Sequence, residues 1–231
     1  MSYLATFDID NTLIQSSTGH VQALIAAIKE IYDLETSINV INHHGMTDQE
    51  IINKILAAHH VDPKNISAGL IRCMECTQLQ YARIVKAEHI RMLDGAIDLL
   101  NELDRNGFLL GLVTGNLEKI ARAKLEKIGI SHFFKFGGFG SDHINRTQLV
   151  QIAIRRAGKQ FGFDAGRLVF HFGDAPQDMQ AARNAGVIPI GVTTGVFSAD
   201  ELDLAGAYKV FPNLKNTDEI LNTLLNLSGT I

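Results

Sequence analysis

The chain has no tryptophan, four prolines and two cysteines, Cys73 and Cys76. Two cysteines in 231 residues make no disulfide framework, so a cytoplasmic location is the default expectation. No apolar run reaches the roughly 18 residues that a membrane-spanning helix needs. The N-terminal stretch carries neither a basic segment nor a long apolar one and does not read as a signal peptide. Basic residues give no excess: 21 Lys and Arg face 25 Asp and Glu, for a net charge of -4. That balance argues against a nucleic-acid-binding face, which has to be basic. It leaves room for a phosphorylated ligand, because a phosphate site is local. No segment pairs low hydropathy with high charge, as long disorder would require.

What is present is a globular composition, 46% apolar and 20% charged. Apolar, β-favouring runs occur at residues 3–7, 108–113, 168–172 and 187–192. Helical patterns lie between them, at residues 96–103, 117–128, 147–157, 176–185 and 218–227. On the 117–128 helix, Lys119, Arg122, Lys124, Glu126 and Lys127 read as the wet face, and Gly129 as the residue that ends it. Apolar strands alternating with helices predict an α/β fold with a parallel sheet covered on both faces. Residues 15–90 differ. They show helical spacing at 20–32, 47–59 and 68–86 and no convincing strand. Thr47 with Glu50 forms a capping-box pattern at the start of the second. This block reads as an inserted all-helical domain, with 1–14 and 91–231 forming the core domain.

Three loops follow apolar strands. The first is Asp8-Ile9-Asp10-Asn11-Thr12-Leu13, whose two carboxylates at i and i+2 share one side of an extended chain. The second is Thr114-Gly115-Asn116, a hydroxyl and free N–H groups at a helix start, suited to an anion. The third runs from Gly173-Asp174 to Asp178, with Pro176 fitting the first helical turn. Each alone has an ordinary explanation as a turn or a helix cap. In a parallel sheet all three would converge on one crevice at the strand ends. Four carboxylates there would need a cation, and oxygen ligands suit a hard one such as Mg²⁺.

These motifs, in this order, resemble the haloacid dehalogenase-like hydrolase superfamily, in its phosphoglycolate phosphatase and β-phosphoglucomutase branch. The resemblance implies a Rossmann-like core and a helical cap at residues 15–90. It implies a magnesium-dependent phosphatase acting on a small phosphorylated metabolite, with no nucleic-acid or membrane partner, as a monomer or small homo-oligomer. Asp8 would be the nucleophile and Asp10 the acid and base. Mg²⁺ would sit among Asp8, Asp10 (through its carbonyl) and Asp174, with Asp178 orienting that shell. Thr114, Gly115 and Asn116 would hold the phosphoryl oxygens. The family's usual lysine is not at its expected place, where His143-Ile144-Asn145-Arg146 stands. Arg146 is the candidate for that charge. A phosphomutase and a catalytically silent phosphate-binding module remain alternatives.

Among lesser candidates, the resemblance places the Gly45-Met46-Thr47-Asp48 turn near the substrate, with His44 and Thr47 in reach. Cys73 and Cys76 read as helix packing, since zinc would need two more ligands. His171 reads as a core residue of its strand. Gly137, Gly138 and Gly140 read as a tight turn.

Overall fold

The structure is a computed structural model that describes residues 3–15, 18–164 and 166–228. Among these, six strands form one parallel sheet in the order β3-β2-β1-β4-β5-β6. They are β1 (Tyr3–Phe7), β2 (Phe108–Thr114), β3 (Gly137–Phe139), β4 (Val169–Gly173), β5 (Ile188–Val192) and β6 (Lys209–Phe211). Strands β2 and β4 flank β1, with Phe7 in register with Leu112 on one side and Phe172 on the other.

Alternate residues of each strand enter opposite cores, as a pleat requires. Ala5, Phe7, Phe108, Leu110 and Leu112 pack against α4 (Ala96–Arg105), α5 (Glu118–Lys127) and α9 (Thr217–Ser228). Phe7 stacks on Phe172 there at 4.6 Å. Leu4, Leu109, Val113 and Val169 face the other way, onto α6 (Arg146–Phe161) and α7 (Pro176–Asn184). Both sheet faces are therefore covered, as the continuous apolar runs imply. A short helix, α8 (Ala199–Leu204), precedes β6.

Helices α1 (Thr18–Tyr32), α2 (Asp48–Ala58) and α3 (Pro63–Ile84) fill residues 18–84 and build a cluster of their own. Leu24, Ile28, Ile52, Ile55, Leu56 and Cys73 are buried in it. Burial pushes the Cys73 thiol up to about 12, as expected for a packing residue. No helix of the described residues is long and apolar enough to cross a membrane.

Several sequence expectations change. Gly137 and Gly138 belong to a strand rather than a turn. A side chain at Gly138 would lie 2.0 Å from the Leu149 carbonyl oxygen, so this glycine allows β3 to press against α6. The 147–157 helix starts at Arg146, capped by Asn145, and runs to Phe161. The Thr47 capping box is half made. Its hydroxyl accepts from the Glu50 N–H, while the Glu50 carboxylate pairs with Lys54 at 2.9 Å. The largest correction concerns Lys124, which is fully buried and not on a wet face.

Candidate active site

Strands β1, β2 and β4 end side by side, and the chain leaves each as a loop. Asp8 follows β1, Gly115 and Asn116 follow β2, and Asp174 follows β4. Parallel strands point their C-terminal ends one way, so the three loops converge. They meet in a cavity of about 250 Å³ whose walls include Asp8, Asp10, Gly115, Asn116, Arg146 and Asp174. Met46 and Asp48, beyond β1, close it from the helical block. Gly115 permits this approach, since a side chain there would lie 2.5 Å from the Met46 carbonyl oxygen.

The carboxylate oxygens of Asp8, Asp174 and Asp178 lie within 4.8 Å of one another, and all three residues are buried. Burial and the neighbouring Asp178 and Asp8 push the Asp174 carboxyl up to about 8. The Asp8 carboxyl is also raised, by burial above all, with Arg146 pulling against it. Asp178 goes the other way. Burial opposes its charge, but Arg146 and His171 hold its carboxyl below the usual range. Arg146 donates to Asp178 and stands 3.7 Å from Asp8. Its guanidinium is held protonated more firmly than usual, the carboxylates around it outweighing burial. His171 Nδ1 meets the Thr6 hydroxyl at 3.1 Å and Nε2 lies 3.6 Å from Asp178, so this strand residue also backs the site.

Asp10 has a separate environment. Lys124 Nζ donates to both its oxygens, at 2.8 and 2.6 Å, and Asn116 Nδ2 donates to one at 2.9 Å. Burial would raise the Asp10 carboxyl, but Lys124 and His20 reverse that and hold it low. Lys124 also donates to Asn116 Oδ1 at 2.7 Å and meets His20 Nδ1 at 3.2 Å. His20 Nε2 then meets Asp48 at 3.0 Å, and Asp48 accepts from the Leu117 N–H at 2.8 Å. The Asp48 N–H donates to the Gly115 carbonyl at 2.9 Å. This chain of bonds ties α1 and α2 to the loop after β2.

Lys124 and His20 were not legible as site residues in the sequence, and of the Gly45-Met46-Thr47-Asp48 turn expected near the substrate it is Asp48 that joins this network. A lysine on an amphipathic helix looks solvated, and its partner lies 114 positions away. Of the expected residues, His44 lines the cavity. Thr47 does not reach it. It is buried, and its hydroxyl caps α2 and donates to the Ile144 carbonyl at 3.2 Å. Thr114 lies behind the wall, its hydroxyl accepting from Asn116 N and Nδ2 at 3.3 and 2.8 Å.

Asp8, Asp10, Asp174 and Asp178 face two buried cations, Arg146 and Lys124. With all four carboxylates ionised, these two cations would leave two negative charges, which is the charge of one divalent ion. An all-oxygen donor set suits a hard cation. The family model described as haloacid dehalogenase-like hydrolase matches residues 5–192, taking in all three loops. The chain belongs to that family. It is 24% identical to the probable phosphatase IndB of Dickeya dadantii (strain 3937), covering 100% of this chain and 98% of that one. It is 22% identical to the phosphoglycolate phosphatase of Escherichia coli O157:H7, covering 91% and 88%. Among solved structures it resembles CbbY from Rhodobacter sphaeroides in complex with phosphate. The TM-score is 0.74 at 18% identity, over 94% of this chain and 96% of that one.

Proposed function

We propose that the protein is a Mg²⁺-dependent phosphatase that hydrolyses a small phosphomonoester through a phosphoryl group carried on Asp8. One observation supports this most. A buried carboxylate, Asp8, stands beside a guanidinium and a second buried carboxylate, Asp174, at the convergent strand ends. The relatives named as phosphatases add to it.

In the first step an Asp8 carboxylate oxygen attacks phosphorus and the bond to the substrate's alcohol oxygen breaks. Asp10 delivers a proton to that oxygen. In the second step Asp10 takes a proton from a water that attacks the phosphorus, releasing phosphate and restoring Asp8. Asp10 is ionised in the geometry described, so it stands ready for the second step. Its acid role requires a proton and a looser grip by Lys124. Arg146 holds the transferred oxygens and keeps Asp178 charged, and the Gly115 N–H, with the Asn116 N–H once it leaves the Thr114 hydroxyl, would be the remaining donors near them. Mg²⁺, held by the carboxylates of Asp8 and Asp174 and the Asp10 carbonyl, would neutralise charge on the phosphoryl group. Asp178 is committed to Arg146, so it orients rather than ligates.

Residues 15–90 would act as a cap over a core made of 1–14 and 91–231, excluding water and choosing the substrate. The setting proposed is cytoplasmic. The test is turnover of a phosphomonoester panel with Mg²⁺, for the native chain and for Asp8→Asn. Loss of all turnover in the variant, with its unfolding transition retained, is the expected result. Native-like turnover by Asp8→Asn would overturn the proposal.

A further inference from the structure

The cavity has two chemically different walls, one from the strand-end loops and one mostly from the helical block. One holds Asp8, Arg146 and Asp174, described above. The other carries the apolar side chains of Val21 and Leu24 of α1, Ile38, Met46 and Ile51 of α2, with Phe197 beside them and His20, His43, His44 and Asp48 as its polar members. None of the apolar side chains donates or accepts a strong hydrogen bond. They come from three separate stretches of the chain, which makes a built apolar chamber rather than a stray exposed residue.

Charge is distributed just as unevenly. Arg146 is the lysine or arginine on the cavity wall, and Asp178 and Asp8 already claim it. Lys124 is buried behind Asp10 and spends its donors on Asp10, Asn116 and His20. The ionisable side chains on the apolar wall are Asp48, His20, His43 and His44. His20 is engaged by Asp48 and Lys124. Burial, with His44 beside it at 4.6 Å between ring centres, keeps His43 below the ordinary imidazole range. A carboxylate or second phosphate on the leaving group would enter a largely apolar space beside the Asp48 carboxyl, where no lysine or arginine among the described residues is free to meet it. Burying a charge without a partner is strongly unfavourable.

We infer that the substrate is a phosphomonoester of an uncharged alcohol with an apolar body, of aliphatic-chain or single-ring size, rather than of a hydroxy acid or a diphosphate. This rests on the phosphatase reading above and narrows it. An apolar pocket rejects an added hydroxyl only weakly, so sugar phosphates are disfavoured less than acidic ones.

The test compares 3-methylbutyl phosphate and 2-phenylethyl phosphate with glucose 6-phosphate and 2-phosphoglycolate, using the Mg²⁺-loaded native protein. The expected result is a kcat/KM for both apolar esters at least about tenfold above that for 2-phosphoglycolate. In Val21→Lys, which puts a cation in the chamber, that ratio should fall or invert. A native preference for 2-phosphoglycolate, or a ratio unmoved by Val21→Lys, overturns the inference while leaving the phosphatase reading intact. If none of the four is turned over, the phosphatase reading fails. Calorimetric binding of the same four esters then decides the inference alone, with tighter binding of the apolar pair supporting it and tighter 2-phosphoglycolate refuting it.

Discussion

Replacing Lys124 by methionine removes the ammonium while keeping an unbranched chain that fills most of the same space. Lys124 is fully buried, and its ammonium makes four polar contacts, two of them to Asp10. Methionine would leave the Asp10 carboxylate facing Asn116 without its cation. Breaking a buried pair from one side costs about 3–5 kcal/mol. Asp10 keeps 20% of its side-chain surface exposed, which places the expected loss near the lower end. For a chain of this size about 3 kcal/mol corresponds to a fall in Tm of about 6–12 °C. The pair also sets a pH signature. Lys124 lowers the folded-state pKa of Asp10, so the stability it supplies is present above the unfolded value and is lost as pH falls. The gap between native and Lys124→Met should be widest near neutrality and shrink below about pH 4. Urea unfolding of the native chain, both single variants and Asp10→Asn/Lys124→Met isolates the coupling, expected at about 1–3 kcal/mol. A loss in Lys124→Met under about 1 kcal/mol, or strict additivity in the cycle, would refute the reasoning.

Asp174 gives the opposite pH trend. Its carboxyl is raised to about 8 in the fold, so the folded state binds a proton that the unfolded chain has lost. Metal-free protein should therefore lose stability as pH rises from about 4 to about 8, read by urea midpoints, and added Mg²⁺ should restore more at pH 8 than at pH 5. A flat metal-free profile would contradict the burial argument. Gly195→Ala would place a methyl group 1.8 Å from an Asp174 oxygen, so Asp174 must move. Its Mg²⁺ affinity should drop about 10–100-fold by titration calorimetry, with Tm nearly unchanged if only that side chain yields. Arg146→Lys should cut kcat/KM well beyond its effect on Tm, because one ammonium cannot span Asp178 and the phosphoryl group as a planar fork does. Equal kinetics for the two residues would remove Arg146 from the site.

The sequence carries the sheet because its central strands are long and apolar throughout. The three-residue strands β3 and β6 escape notice for the converse reason. Gly137–Phe139 has too little side chain to show a pattern, and Lys209–Phe211 is an edge with an exposed lysine. The strand-end loops are legible because carboxylates, threonine and glycine recur at the same place in successive strand-to-helix units. Lys124 is not, since periodicity assigns every lysine to water and cannot see a carboxylate that tertiary packing brings to it. Thr47 misleads for a related reason. It lies in the right turn, but capping α2 consumes the hydroxyl that substrate binding would use.

The proposed mechanism stands or falls on Asp8 carrying the phosphoryl group. Mixing the Mg²⁺-loaded protein with a turned-over phosphomonoester, quenching in acid within the first turnover and mapping the peptides by mass spectrometry tests it directly. One added phosphoryl group is expected on the peptide containing Asp8, absent in Asp8→Asn and lost as phosphate is released. Turnover of the same ester with Asp8 unmodified throughout, or the group carried on another residue, would contradict it.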